Sequence, residues 1–241
     1  MSSAPHLVII GNGVAGNRAA EILREKDKDC RISIISAGPL LFYNRYELPD
    51  VFKGRQDWRD YLENPPEYFS DNNITLRRKS IVADVDTERR KLVLAHREEV
   101  SFDQLLVATG GSGYLPERLQ ETAHLTHQFT TYRSAMGMYR DLPKGGRVVM
   151  LGGDMIGLDL ARTLIETGYH VTVVPGDRTF WPHEISAEER PKYLSALETM
   201  GMEVINHGEV ERIEDTTGSA AARRVVFVSG ETVAADVGVT Q

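Results

Sequence analysis

The chain has 241 residues, 41% hydrophobic and 26% charged, and its 28 basic against 35 acidic residues give a net charge of −7. That length supports two modest domains or one large one. No apolar run approaches the roughly 20 residues needed to span a bilayer, and the acidic balance argues against a general binder of nucleic-acid phosphates.

The opening MSSAPHLVII lacks the basic start and apolar length of a secretory signal, so a cytoplasmic location is expected. LVII then predicts a strand over 7–10, followed by the turn GNGVAG at 11–16, a helix to about Glu25 and a second strand over 31–35. This is a βαβ unit of about 30 residues. Cys30, the single cysteine, precedes that second strand and reads as a small buried residue. One thiol makes no intrachain disulfide, CxxC pair or cysteine zinc site.

In such a turn the first glycine permits tight reversal, the second lets backbone approach a pyrophosphate, and the third lets helix and strand pack closely. Exposed N–H groups and the partial positive charge of the helix start attract the phosphates. Gly11, Gly13 and Gly16 fill the three positions. The bland alternative is a turn with a purely structural role. The carboxylate that usually meets the ribose is missing, because the second strand runs into SAGP, with Ser36, Ala37 and Gly38. A neutral hydrogen bond from Ser36 is weaker than a charge-assisted one by about a factor of two.

ITLRRKSIVADVD, RRKLVLAH and SFDQLLVATGG predict a meander that returns to a buried strand, Leu105 to Ala108. Tyr114 to Thr131 has no periodicity and reads as an irregular crossing between domains. TYRSAMGMYRDLP predicts a helix closed by Pro143, and RVVMLGGDMIGLDLARTLIETGYHVTVV repeats the first βαβ pattern, with Gly11 matching Gly152 and Gly16 matching Gly157. VVFVSGETVAADVGVTQ reads as a strand, a turn and a strand that stops almost at once.

The second turn departs from the first. Asp154 takes the middle glycine position, and Pro175 stands where a second ribose carboxylate is expected. A carboxylate about 5 Å from one phosphate charge repels it by on the order of 3 kcal/mol at an effective dielectric of 20, about two decades in affinity. Two readings are open. Asp154 caps the following helix in place of a phosphate, or it rotates away from a nicotinamide cofactor, with Arg178 favouring a 2′-phosphate and hence NADP.

VIIGNGVAG, LLFYNRYELPDVFKG, SFDQLLVATGG and RVVMLGGDMIGLDLA together resemble the FAD-dependent pyridine nucleotide-disulfide oxidoreductases, in the branch of rubredoxin, ferredoxin and nitrite reductase flavoproteins. The second segment is similar to the branch's Tyr-x-Arg-Pro-x-Leu stretch and the third to its Tyr-Asp-x-Leu-Leu-x-Ala-Thr-Gly strand. The resemblance implies an α/β fold of two Rossmann-like domains with a β-meander, 1–118 binding FAD and 119–241 resembling an NAD(P)-binding domain. By position, Gly11, Gly13 and Gly16 would hold the FAD pyrophosphate, Ser36 would lie by the adenosine ribose and Arg45 by the flavin or its pyrophosphate. The Val82 backbone would meet the adenine, Thr109 and Gly110 would close over the cofactor, and Gly152, Gly153 and Gly157 would meet NAD or NADP. The implied reaction passes a hydride from NAD(P)H to flavin and electrons onward to a protein or small acceptor, with no catalytic acid or base.

Departures from that pattern are Tyr46 in place of proline, Asp50 near a usual lysine, and the absence of the cysteine pair that disulfide reductases use. The branch also returns to its FAD domain through a later Gly-Asp segment, which this sequence stops short of; a C-terminally incomplete flavin domain is therefore expected, as a truncated product, as a fragment of a longer chain, or as half of a split enzyme whose missing C-terminal half is a separate partner chain. Two functions stand open: an FAD-dependent NAD(P)H oxidoreductase, and a degenerate nucleotide-binding or interaction subunit without turnover. His124 and His127, spaced as on one helix face, lack the partners of a metal site, and His183 reads as a loop residue. ISAEERPKYL predicts a solvated helix beginning at a Ser186 cap, with Glu189 at capping-box spacing.

Overall fold

The structure is a computed structural model that describes residues 4–111, 113, 115–176, 179–180, 182–206, 208–216 and 222–240. The chain divides into two compact units, one of 1–44 with 61–111 and one of 45–60 with 112–241.

In the first unit, β1 (His6–Ile10), α1 (Val14–Lys26) and β2 (Arg31–Ile35) form the anticipated βαβ unit. A short helix α2 (Tyr68–Asp71) leads to β3 (Ile74–Arg77), which pairs with β2 in parallel, so ITLR belongs to the main sheet and not to the meander. The meander proper is β4 (Val82–Asp86), β5 (Lys91–Leu94) and β6 (Glu99–Ser101), all antiparallel. Then β7 (Gln104–Val107) returns beside β1, completing the order β3-β2-β1-β7. Alternation along β1 sends Leu7 and Ile9 into a core with Ala20 and Leu23 of α1, and Val8 into a second core with Leu92 and Leu94 of the meander. Cys30, 2% exposed, is buried in the first of these. The expectation of a buried strand at 105–108 is corrected: Leu106 and Val107 are 40% and 61% exposed, because β7 forms the sheet's edge and pairs only with β1 among the described residues.

Arg24, 7% exposed, is a structural tie that the sequence reading did not single out. Its guanidinium donates to the carbonyls of Asn72, Asp27, Lys28 and Asn73 at 2.8–3.0 Å, holding the end of α1 against the α2–β3 turn. Satisfying a buried charge with four carbonyls offsets the cost of removing it from water.

In the second unit, the stretch expected to be irregular carries a 3-10 helix (Glu117–Leu125) and β8 (Thr126–Gln128), while Tyr114 lies outside the described residues. His124 is thus in a helix and His127 in a strand, not on one helix face. Helix α3 (Tyr132–Asp141) starts from a capping box between Thr131 and Ser134. The parallel core then runs β9 (Arg147–Leu151), α4 (Met155–Glu166), β10 (His170–Val174), α5 (Arg190–Thr199) and β11 (Glu203–Val204). An antiparallel meander, β12 (Val210–Asp215), β13 (Arg223–Phe227) and β14 (Thr232–Ala235), precedes β15 (Val237–Thr240).

That last strand is no stub. It inserts between β9 and β8 in the order β11-β10-β9-β15-β8, and all four of its residues are buried. The α5 expectation is also corrected. Ser186 and Glu189 do bond, at 2.7 Å between side chains and 3.2 Å from the Glu189 N–H to Ser186 Oγ, but in a turn ahead of the helix. The α-helix begins only at Arg190, where Pro191 supplies a fixed φ suited to a first turn.

Residues 45–60 pack within this second unit, unlike the 1–118 and 119–241 division expected from sequence. The reason is aromatic. Phe52, in the 3-10 turn Leu48–Lys53, lies 5.6, 5.7 and 6.4 Å from the ring centres of Tyr169, Tyr139 and Phe129. Asp50 is held by Lys53 at 3.3 Å and Arg55 at 3.0 Å, and Tyr46 is 72% exposed. No helix among the described residues is long and apolar enough to cross a membrane.

Candidate functional site

The two glycine turns have the same frame. The Gly11 N–H donates to Ile35 O at 2.8 Å, and the Gly152 N–H donates to Val174 O at 2.9 Å, so each turn is laced to the end of the neighbouring parallel strand. Gly13 and Asp154 then occupy the same position, the extended residue immediately before the helix, at φ −100° and −69°.

Their chemistry differs. At the first turn a Cβ on Gly11, whose φ is +118°, would come 2.1 Å from Ala108 O, and a Cβ on Gly16 would come 2.1 Å from Gly11 O. Both distances are far inside contact, so only glycine permits this approach of helix, turn and β7. A Cβ on Gly13 would meet no atom within 4 Å, no side chain caps α1, and its first turn holds no acidic residue. The leading N–H groups of α1 therefore face outward beside an open backbone, the arrangement that accepts an anion.

Ser36 directly follows β2, whose last carbonyl, that of Ile35, accepts from the Gly11 N–H; Thr109 and Gly110 come after Ala108, just past the end of β7, and Val82, at the start of β4, packs on the core that also takes Ile10 and Ile35. The Ala108 N–H donates to Ile10 O at 2.8 Å, which sets Thr109 and Gly110 beside Gly11, and both are exposed. Arg45 is exposed and belongs to the second compact unit. A brace that sequence reasoning missed runs under the turn. Asn17 Nδ2 donates to Asn12 Oδ1 at 3.0 Å and Gly13 O at 2.9 Å, and Asn12 Nδ2 donates to Leu40 O at 3.3 Å. Asn17 Oδ1 is buried and accepts no hydrogen bond among the described residues, an orphaned acceptor beside the glycine turn. The available signal was an asparagine facing inward in the first turns of a helix, where asparagine competes for backbone groups.

At the second turn Asp154 acts as the cap. Its Oδ1 accepts from the Ile156 and Gly157 N–H groups at 3.0 and 2.8 Å, the donors a phosphate would otherwise take. The following loop closes over the turn's carbonyls as well: Thr179 Oγ1 donates to Gly152 O at 3.2 Å and the Phe180 N–H to Gly153 O at 2.9 Å. Phe180 adopts φ +76°, an outlier for a bulky residue that this closure maintains. Gly152, Gly153 and Gly157 thus lie together, around a carboxylate. Arg178 lies outside the described residues, Pro175 directly follows β10, and His183 sits in a turn with its N–H on Phe180 O at 2.9 Å. No group of three or more metal-ligating side chains is found among the described residues.

A family model described as pyridine nucleotide-disulphide oxidoreductase matches residues 5–241. A nitrite reductase, NAD(P)H, of Bacillus subtilis strain 168 is 28% identical over 233 residues, covering 96% of this chain and 28% of that protein. A nitric oxide reductase FlRd-NAD(+) reductase of Klebsiella pneumoniae is 27% identical over 212 residues, covering 87% of this chain and 55% of that protein. The crystal structure of the covalent putidaredoxin reductase-putidaredoxin complex matches the fold with a TM-score of 0.87 at 22% identity, over 99% of this chain and 58% of that one. A NAD-dependent persulfide reductase from A. fulgidus matches with a TM-score of 0.85 at 26% identity, over 98% and 45% of the two chains. The chain thus spans between about a quarter and just over half of these relatives.

Proposed function

The chain belongs to the pyridine nucleotide-disulphide oxidoreductase family, whose reductases use FAD and NAD(P)H, and on that premise we propose that it acts as an FAD-dependent NAD(P)H oxidoreductase that passes electrons to a protein or small acceptor. The observation that carries this reading is the uncapped start of α1 over the open backbone at Gly13, with Gly11 and Gly16 locking the turn.

In this proposal Gly11, Gly13 and Gly16 hold the FAD pyrophosphate with backbone N–H groups and Ser36 stands at the adenosine ribose. The Val82 backbone meets the adenine, Thr109 and Gly110 cover the cofactor, and Arg45 serves the flavin or its pyrophosphate. Gly152, Gly153 and Gly157 receive NAD or NADP only when Asp154 gives up its cap. FAD, when bound, supplies the redox chemistry; the protein binds, orients and excludes water. A cytoplasmic site of action and, as partner, an electron-acceptor protein or a separate chain supplying the C-terminal half complete the proposal.

A second reading, a nucleotide-binding subunit without turnover, is favoured by one specific observation: the Asp154 carboxylate fills the anion position of the second turn. Flavin absorbance of the purified protein, followed by addition of NADH or NADPH, separates the two. Bleaching supports the oxidoreductase, flavin that does not bleach supports the subunit, and a protein that neither carries nor takes up FAD refutes both cofactor assignments.

A further inference from the structure

Asn17 is the fourth residue of α1 and only 4% exposed. Its amide and that of Asn12 fit together in one way only. Leu40 O is purely an acceptor, so Asn12 presents Nδ2 to it at 3.3 Å and turns Oδ1 toward Asn17. Gly13 O is likewise an acceptor, so Asn17 answers both oxygens with Nδ2, at 3.0 Å to Asn12 Oδ1 and 2.9 Å to Gly13 O. A reversed Asn17 amide would set its oxygen against two others.

This arrangement opposes folding in one respect. Asn17 Oδ1 is buried with no hydrogen-bond partner among the described residues, and an unsatisfied buried acceptor is destabilising. An alanine at this position would bury no such atom and has the higher helix propensity. The amide is therefore explained by what its Nδ2 holds, not by the stability of α1.

It holds the peptide between Gly13 and Val14. Gly13 O accepts from the Asn17 N–H at 3.0 Å as well as from Nδ2, so both of its lone pairs are engaged from the helix side. In a trans peptide the N–H points opposite to the carbonyl, so the Val14 N–H, the first donor of the uncapped helix, is aimed away from α1. Packing does not fix this peptide, since a Cβ on Gly13 would meet nothing within 4 Å, and glycine has more backbone freedom to lose than any other residue.

We propose that Asn17 is a positioning residue for the cofactor: its Nδ2 pins the Gly13 carbonyl, so that the Val14 N–H is aimed for the pyrophosphate before the pyrophosphate arrives. The proposal rests on the reading that the first turn holds FAD. Asn12, tied to Leu40 O, keeps the Asn17 amide in the required orientation. Without the Nδ2 bond the Gly13–Val14 peptide rocks about a single hydrogen bond, and binding must then meet the entropy cost of ordering it.

The test compares the parent with Asn17→Ala, which deletes the bond, and Asn17→Ser, which restores it alone, because a serine hydroxyl within a helix donates to the carbonyl four residues back, here Gly13 O. FAD affinity is read from flavin fluorescence well below the thermal midpoint of each protein, where all three are folded. Asn17→Ala should weaken FAD by about tenfold, the worth of about one net hydrogen bond, and Asn17→Ser should bind within about threefold of the parent. ADP, which carries the pyrophosphate, should lose affinity in Asn17→Ala as FAD does, whereas adenosine, competing with FAD at higher concentration, should lose less than about threefold. A loss of FAD affinity below about threefold in Asn17→Ala, a serine variant no better than the alanine one, or equal losses for ADP and adenosine overturns the proposal and leaves the flavin reading intact. A parent protein that takes up no FAD refutes that reading itself.

Discussion

Asp154→Asn separates the two tasks that a carboxylate performs at the second turn, capping a helix and repelling an anion. In the native chain Oδ1 accepts from Ile156 N–H at 3.0 Å and Gly157 N–H at 2.8 Å, so a phosphate that takes these donors must first turn the side chain out. Losing the cap costs about 1 kcal/mol. The displaced charge, about 5 Å from the phosphate, then costs on the order of 3 kcal/mol at an effective dielectric of 20. Together these hold nicotinamide dinucleotide affinity about three decades below that of an uncapped turn.

Asparagine caps as well as aspartate and carries no charge, so Asp154→Asn should leave the thermal midpoint nearly unchanged and tighten NADH binding by about two decades. Asp154→Gly removes both obstacles and should gain about three decades for a few tenths of a kcal/mol of stability. Calorimetric titration with NADH and thermal unfolding of the three proteins measure both quantities. Equal NADH affinities in all three would refute the argument, since the carboxylate would then not be what limits the site.

Gly16→Ala places a methyl group 2.1 Å from Gly11 O and is expected to destabilise the first unit by more than about 2 kcal/mol, whereas Gly13→Ala meets nothing within 4 Å and should unfold like the parent while losing FAD; denaturant titration and flavin content test the contrast. Phe52→Ala removes a ring in contact range of Tyr139 and Tyr169 and should cost about 3–5 kcal/mol by chemical denaturation. His6 is buried, with Nδ1 2.8 Å from Ser101 O and Nε2 2.8 Å from Ser33 Oγ. Burial lowers its pKa from 6.5, against the opposing effect of the Ser101 carbonyl, with Arg31 lowering it further and Asp103 raising it. A depressed folded-state value means that the unfolded chain takes up the proton first, so this contribution to stability is present above pH 6.5 and declines as the pH falls below it. Thermal midpoints between pH 7.5 and 5.5 should therefore fall more steeply in the parent than in His6→Gln; parallel slopes would refute it.

The βαβ units were legible because their signals are local: β-branched runs, a glycine turn and the start of an amphipathic helix lie within one window. The Asp154 cap was legible for the same reason, being a matter of an aspartate and the N–H groups two and three residues on. The place of β15 was not. Four residues, VGVT, carry no mark of rank in a sheet, and their burial comes from β9 and β8, which lie far back in the sequence. Residues 45–60 hide their allegiance likewise, since Phe52 is placed by rings at 129, 139 and 169. In β7 the error ran the other way: an apolar run reads as buried, but an edge strand of the sheet leaves Leu106 and Val107 facing outward.

The repeat of the glycine pattern suggests two equivalent sites, and the backbone does repeat, down to the N–H bond from the first glycine to the end of the neighbouring strand. Equivalence ends at the residue before the helix. With glycine there, the helix start is completed by nothing the chain supplies; with aspartate, the chain supplies the anion itself, and the Thr179–Phe180 loop then bonds the carbonyls that remain. An internal cap is present at an effective concentration that a free dinucleotide seldom matches, because its entropy cost is already met in folding. One side chain is therefore enough to turn a ligand site into a self-satisfied turn. The first turn, with Gly13 open and no side chain capping α1, is accordingly where affinity for a nucleotide should be measured first.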